Sequence, residues 1–149
     1  TGDLDEYIQM VNVITSMPNA HQEFGKDLTI EIIVYTKNKI LSPCVSYQIL
    51  NENEMAIVHE LILNSEIEFC QEKGFFKLTS IIKNLKLYPG NYVLNVNFAE
   101  SVFKKSLDKV LGVCGFKIIN SQKRKHYWGK GTALYKENDT NWLITKINE

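Results

Sequence analysis

Net charge is the first thing this chain is short of: 17 Lys and Arg stand against 17 Asp and Glu across 149 residues. No overall field draws in nucleic acid or an anionic membrane surface, so binding of nucleic acid is not expected. Long apolar runs are missing as well. No stretch approaches the roughly 18 apolar residues of a membrane-spanning helix, and the first residues lack the basic start and apolar centre of a signal peptide. The chain is therefore expected to be soluble. Cysteine is sparse: Cys44, Cys70 and Cys114 are widely spaced, with no Cys-x-x-Cys and no Cys/His clustering. Neither a disulfide framework nor a zinc site is indicated, and a reducing cytoplasmic setting fits best.

Catalytic signatures are lacking too. A phosphate-cradling loop requires Gly-x-x-x-x-Gly-Lys-Ser/Thr, and Gly129-Lys130-Gly131-Thr132 fails that spacing. There is no Gly-x-Ser-x-Gly elbow, and Cys44 lies beside Pro43 without a nearby His. His21, His59 and His126 are far apart, and none has a second metal ligand at helical or hairpin spacing. They read as surface or satisfied polar residues. The carboxylate pairs Glu52/Glu54 and Glu66/Glu68 fall in polar connections, where solvation is the ordinary explanation. The expectation is a chain with no catalytic residue, no metal and no cofactor.

What is present is β-structure. After Pro89-Gly90, Tyr92, Leu94, Val96 and Phe98 alternate strictly with Val93, Asn95 and Asn97, which reads as a turn into a half-buried strand. A Tyr just past the turn, two residues before the first fully apolar inward position, is the arrangement of a tyrosine corner in an immunoglobulin-like sandwich. Leu94 stands where an antibody domain has its second Cys. Residues 28–35 alternate as Leu28, Ile30, Ile32 and Val34 against Thr29, Glu31, Ile33 and Tyr35, and residues 45–50 as Val45, Tyr47 and Ile49 against Ser46, Gln48 and Leu50. Residues 6–15 are rich in β-branched and aromatic types, and their apolar set slips phase between Ile8 and Val11, as in a bulged edge strand.

Residues 55–63 make a less regular strand, 66–74 a crossover, and 75–82 a strand with Phe76, Leu78, Ser80 and Ile82 on one face. Between Glu100 and Val113 the apolar residues recur at three- and four-residue steps, so a short helix or irregular connection is expected before a last core strand at Phe116 and Ile118. About seven strands and no long helix indicate an all-β, antiparallel immunoglobulin-like β-sandwich. The expected division is a sandwich over residues 1–119 and a C-terminal tail over 120–149. That tail carries a basic run at Lys123 to Lys125 and the aromatics Tyr127, Trp128 and Trp142.

Four pieces in order carry a family resemblance: residues 24–32, residues 42–49, residues 85–96, and Leu107-Asp108-Lys109-Val110 leading to Phe116-Lys117-Ile118. Together they are similar to the Wzt carboxy-terminal domain, which is appended to the ATP-binding subunit of ABC transporters that export O-antigen and related bacterial polysaccharides. Glu54, where a turn Gly is common, and Ser80, where a larger core residue is expected, depart from that pattern. The resemblance implies a non-catalytic carbohydrate-binding domain that recognises the capped non-reducing end of a polysaccharide. It further implies a homodimer exchanging a terminal strand, for which the tail is the candidate. The implied partners are an ATPase domain and a transmembrane subunit, and the implied place is cytoplasmic, at the inner face of the cell membrane.

Strand periodicity narrows the binding surface. Where Val45, Tyr47 and Ile49 point inward, Ser46 and Gln48 point out; by the same rule Asn95, Asn97 and Lys117 point out on their own strands. In an immunoglobulin-like order these strands are neighbours, so the five side chains are expected to form one polar face. An amide offers donors and an acceptor, which matches sugar hydroxyls that do both. Two Asn in one strand need a local reason, because Asn is depleted there. Tyr127 and Trp128 are the second candidates, since a flat ring can cover the apolar face of a sugar. The competing readings are a structural or protein-interaction module using an exposed edge strand, and an accessory domain of a sugar-active enzyme.

Overall fold

Alternation at a period of two lets one face of a strand meet the core while the other meets water, and β-strands, eight of them among the described residues, make up the fold. The structure is a computed structural model that describes residues 7–101, 104–120 and 143–144. The strands are β1 (Ile8–Ile14), β2 (His21–Glu23), β3 (Leu28–Thr36), β4 (Pro43–Leu50), β5 (Ala56–Leu63), β6 (Gly74–Ile82), β7 (Gly90–Glu100) and β8 (Lys105–Ile119). They form a three-stranded sheet in the order β1-β3-β6 and a five-stranded sheet in the order β2-β8-β7-β4-β5. The expected β-sandwich is the observed fold, and the crossover at 66–74 carries the chain from β5 in one sheet to β6 in the other.

The core lies between the sheets. Leu28, Ile30, Ile32 and Val34 of β3 face Val45, Tyr47 and Ile49 of β4 and Tyr92, Leu94, Val96 and Phe98 of β7. Burying each such aliphatic or Phe side chain is worth about 1.5–3 kcal/mol, so these three strands supply most of the apolar driving force. The turn before β7 is locked by the tyrosine corner: the Tyr92 hydroxyl donates to the Tyr88 carbonyl at 2.5 Å, and its ring stacks on Phe116 at 5.8 Å between centroids. β1 has the expected slip, with its register against β3 shifting between Ile8 and Met10.

The first fifth of the chain belongs to both sheets. β1 pairs antiparallel with β3, whereas β2 runs parallel to the end of β8, His21 opposite Lys117. Between them the chain reverses through Asn19 and Ala20, both at positive φ. A buried Gln22 fixes this crossing: its Oε1 accepts the Ser16 N–H at 2.8 Å, and its Nε2 donates to the Lys26 and Asp27 carbonyls at 3.0 and 3.1 Å. Three residues are too few to show alternation, which is why β2 has no signature in the sequence.

The helix or irregular connection expected between Glu100 and Val113 is not there. Residues 105–119 form one long strand, β8, whose register against β7 shifts at three places. Each shift resets which side chains point inward, so Leu107, Val110 and Val113 reach the core three residues apart and imitate a helical period. Gly112, at φ +65°, takes the left-handed conformation that one of these irregularities needs.

Candidate functional site

The outer face of the five-stranded sheet is built by the alternate residues of β5, β4, β7 and β8. Strand pairing aligns them in two rows. In one, His59 of β5 lies opposite Gln48 of β4, and Gln48 opposite Asn95 of β7. In the other, Leu61 lies opposite Ser46, Ser46 opposite Asn97, and Asn97 opposite Lys109 of β8. Directly opposed residues stand about 4.5–5.5 Å apart, so the four expected side chains Ser46, Gln48, Asn95 and Asn97 are brought together as a compact square.

The two asparagines have the local reason their strand position demands. Asn95 Oδ1 accepts the Gly112 N–H at 2.8 Å, and Asn97 Oδ1 accepts the Ser106 hydroxyl at 2.6 Å. Both amides thus use their carbonyl oxygens to hold the irregular strand β8, and their NH2 groups make no hydrogen bond to another described residue. With the half-buried Gln48 and Ser46 beside them, the face offers several donors and acceptors at fixed spacing on a sheet. Lys117 is exposed but sits opposite Asn91, four residues along β7 from Asn95, and so lies outside the square. Tyr127 and Trp128 fall outside the described residues.

Sequence reasoning missed the flanks of this face. His59 was hidden because β5 has no clean alternation, so its register was not readable. Lys109, Ser106 and the exposed Leu111 were hidden in the stretch expected to be irregular. Their signal is the register itself: once β8 is aligned with β7, Lys109 follows from Asn97.

The three thiols share one electrostatic setting. Burial pushes Cys70 up to about 12, and it raises Cys44 and Cys114 as well, Glu66 adding to the effect at Cys44. All three are held as neutral thiols, which are poor nucleophiles. Burial also raises the Tyr47 phenol, against the hydrogen bond it shares with Ser80. Among the described residues no three His, Cys, Asp or Glu side chains gather to hold a metal ion, and no helix is long and apolar enough to cross a membrane.

Comparison with known proteins bears on this geometry. Residues 7–131 match the family model described as the Wzt C-terminal domain. A crystal structure of the C-terminal domain of Wzt superposes with a TM-score of 0.65 at 8% identity, covering 89% of this chain and 85% of that one. Weaker likenesses are to the Pseudomonas fluorescens alkylpurine DNA glycosylase AlkC bound to DNA with an abasic site analogue, TM-score 0.45, 11% identity, 75% of this chain and 30% of that one. A CARDB domain from Pyrococcus furiosus, in complex with di-metal ions, gives a TM-score of 0.43 at 16% identity, over 77% of this chain and 90% of that one. No curated protein matches the chain.

Proposed function

Because the chain belongs to the Wzt C-terminal domain family, whose members are non-catalytic carbohydrate-binding domains of ABC-transporter ATPase subunits, we propose that it binds a bacterial cell-surface polysaccharide for export. The recognised feature is the capped non-reducing end, and the O-antigen class is the expected glycan. The observation that carries this reading is the square of Ser46, Gln48, Asn95 and Asn97, with the two Asn carbonyls committed to β8 and their NH2 groups left for ligand oxygens. Sugar hydroxyls accept such donors readily, and a rigid sheet holds them without the entropy cost of ordering loops.

In the whole protein this domain works beside an ATPase domain and a transmembrane subunit, at the cytoplasmic face of the membrane. Homodimerisation through the 120–149 tail belongs to the same reading. Its support is that Leu143 and Ile144 are 96% and 93% exposed, an apolar pair that calls for a cover.

Calorimetric titration with polysaccharide from the protein's own source, beside the same polymer stripped of its non-reducing terminal residue, tests the proposal. Binding of the intact polymer alone supports recognition of the end. Equal binding of both points to internal repeats, and no binding of either favours a protein-interaction module. That second reading draws on the outer face of the three-stranded sheet, where Met10, Ile14, Phe75 and Ile81 are exposed.

A further inference from the structure

The two sheets do not close on one another everywhere. β5 pairs only with β4 and β6 only with β3 among the described strands, and between these two edges a cleft of about 340 Å³ opens into the core. Its walls are apolar, with Ile32, Val45, Ile62, Phe69, Phe76 and Leu78 among them. The space exists because Ser80 takes an inward position on β6 where its neighbours Phe76, Leu78 and Ile82 are large. An engineered apolar cavity of about 150 Å³ already takes up benzene, so this cleft exceeds the volume an apolar ligand needs.

Shape and polarity restrict what fits. The lining runs along β6 from Phe76 to Ser80, four strand steps or about 13 Å, so the cleft is elongated and suits an extended apolar ligand. At its Ser80 end the Tyr47 and Ser80 hydroxyls share a hydrogen bond of 2.8 Å. Only one of the two protons is used between them, so the other is available to a ligand oxygen. Glu60 and Glu68 also line the cleft, and Lys77, which lines it too, is paired with Glu31 at 2.6 Å. Two carboxylates against one cation already engaged disfavour an anionic head group.

We infer that the cleft between β5 and β6 is a binding site for an extended, unbranched alkyl ligand carrying an uncharged hydroxylic head. The site is distinct from the square of Ser46, Gln48, Asn95 and Asn97, none of which lines it.

The test is methyl NMR on the full chain, with 1-decanol and sodium decanoate as probes at neutral pH. Decanol is expected to bind saturably, with shifts concentrated on the methyls of Val45, Ile62 and Leu78, and decanoate about tenfold more weakly or worse. Ser80→Leu fills the cleft and is expected to lower decanol affinity about tenfold or more, with some loss of melting temperature because the Tyr47 hydroxyl loses its partner. Should that variant fail to fold, the surface pair Glu60→Gln with Glu68→Gln carries the test, with decanoate binding expected to rise about threefold. Decanol shifts scattered over the molecule, or an unfilled response in folded Ser80→Leu, would overturn the inference. So would decanol uptake that falls away as protein concentration drives self-association, since the cleft then belongs to a second copy of the chain.

Discussion

Asn95 and Gly112 are joined by a hydrogen bond of 2.8 Å, from the backbone N–H of a residue at φ +65° to the side-chain oxygen of the residue that directly follows the core Leu94. The bond makes Asn95 a structural residue through one end of its amide, while the proposed function makes it a ligand donor through the other. Asn95→Ala removes both, and is expected to cost about 1 kcal/mol of stability as well as glycan affinity. Asn95→Asp separates the roles. It keeps an acceptor for Gly112 and removes the NH2, so the thermal midpoint should hold while glycan binding weakens; calorimetry beside thermal melts reads both.

Gln48 makes the cleaner probe of the face. No other described side chain depends on it, so Gln48→Ala should move stability by no more than about 0.5 kcal/mol. Its affinity for the glycan should fall by about five- to tenfold, the loss of one net hydrogen bond. An unchanged titration curve would take Gln48 out of the site.

These two substitutions differ for a reason that only the fold supplies. The outward direction of Gln48 and Asn95 is legible in the alternation of Tyr47 and Ile49, and of Leu94 and Val96. That β4, β7 and β8 are neighbours was legible from the tyrosine corner and strand count. The Gly112 contact was not, because three register shifts destroy the period of two across β8 and give its apolar residues a helical spacing. His59 stayed hidden for a different reason: β5 lies at a sheet edge, where both faces are partly wet and alternation is not enforced.

Tyr92 carries a pH dependence on the alkaline side. Burial, with the Glu52 carboxylate adding to it, pushes its phenol up to about 12 from 10.0. The folded state therefore prefers the neutral phenol more strongly than the unfolded chain does. That stability is fully present below pH 10 and is lost as pH rises through about 12, an effect of about 2–3 kcal/mol. Tyr92→Phe should flatten this part of the stability curve, and cost about 1–3 kcal/mol at neutral pH by stranding the Tyr88 carbonyl. Denaturant melts from pH 8 to 12 on both proteins check it.

On the acid side two exposed ion pairs act in the opposite sense. Asp27 is held below 3.8 by the Asn84 N–H first and by Lys83, and Glu31 below 4.5 by Lys77 and Asn12. Their contribution is present above those values and lost as pH falls through the lower, folded-state ones. Since both pairs face water, added salt should shrink the acid-side loss, as melts near pH 3 in low and high salt would reveal.

Gln22 tests the crossing between sheets. Gln22→Leu keeps the volume but leaves the Ser16 N–H and the Asp27 carbonyl without the Gln22 amide and the Lys26 carbonyl with only the Leu85 N–H, at an expected cost of roughly 3 kcal/mol in chemical denaturation. A change below about 1 kcal/mol would mean that water or backbone relaxation replaces all three bonds.

The parallel ladder between β2 and β8 also decides how this fold answers to force. The chain enters β2 at His21 and leaves β8 toward residue 120, so opposite pulls that act at those two points load that ladder along its length. Its bonds are then sheared together instead of being peeled one at a time, and the tension is shared with the Gln22 knot beside it. A domain tethered between moving parts would resist a tug at this corner, whereas the antiparallel β4–β5 hairpin at the far edge would unzip.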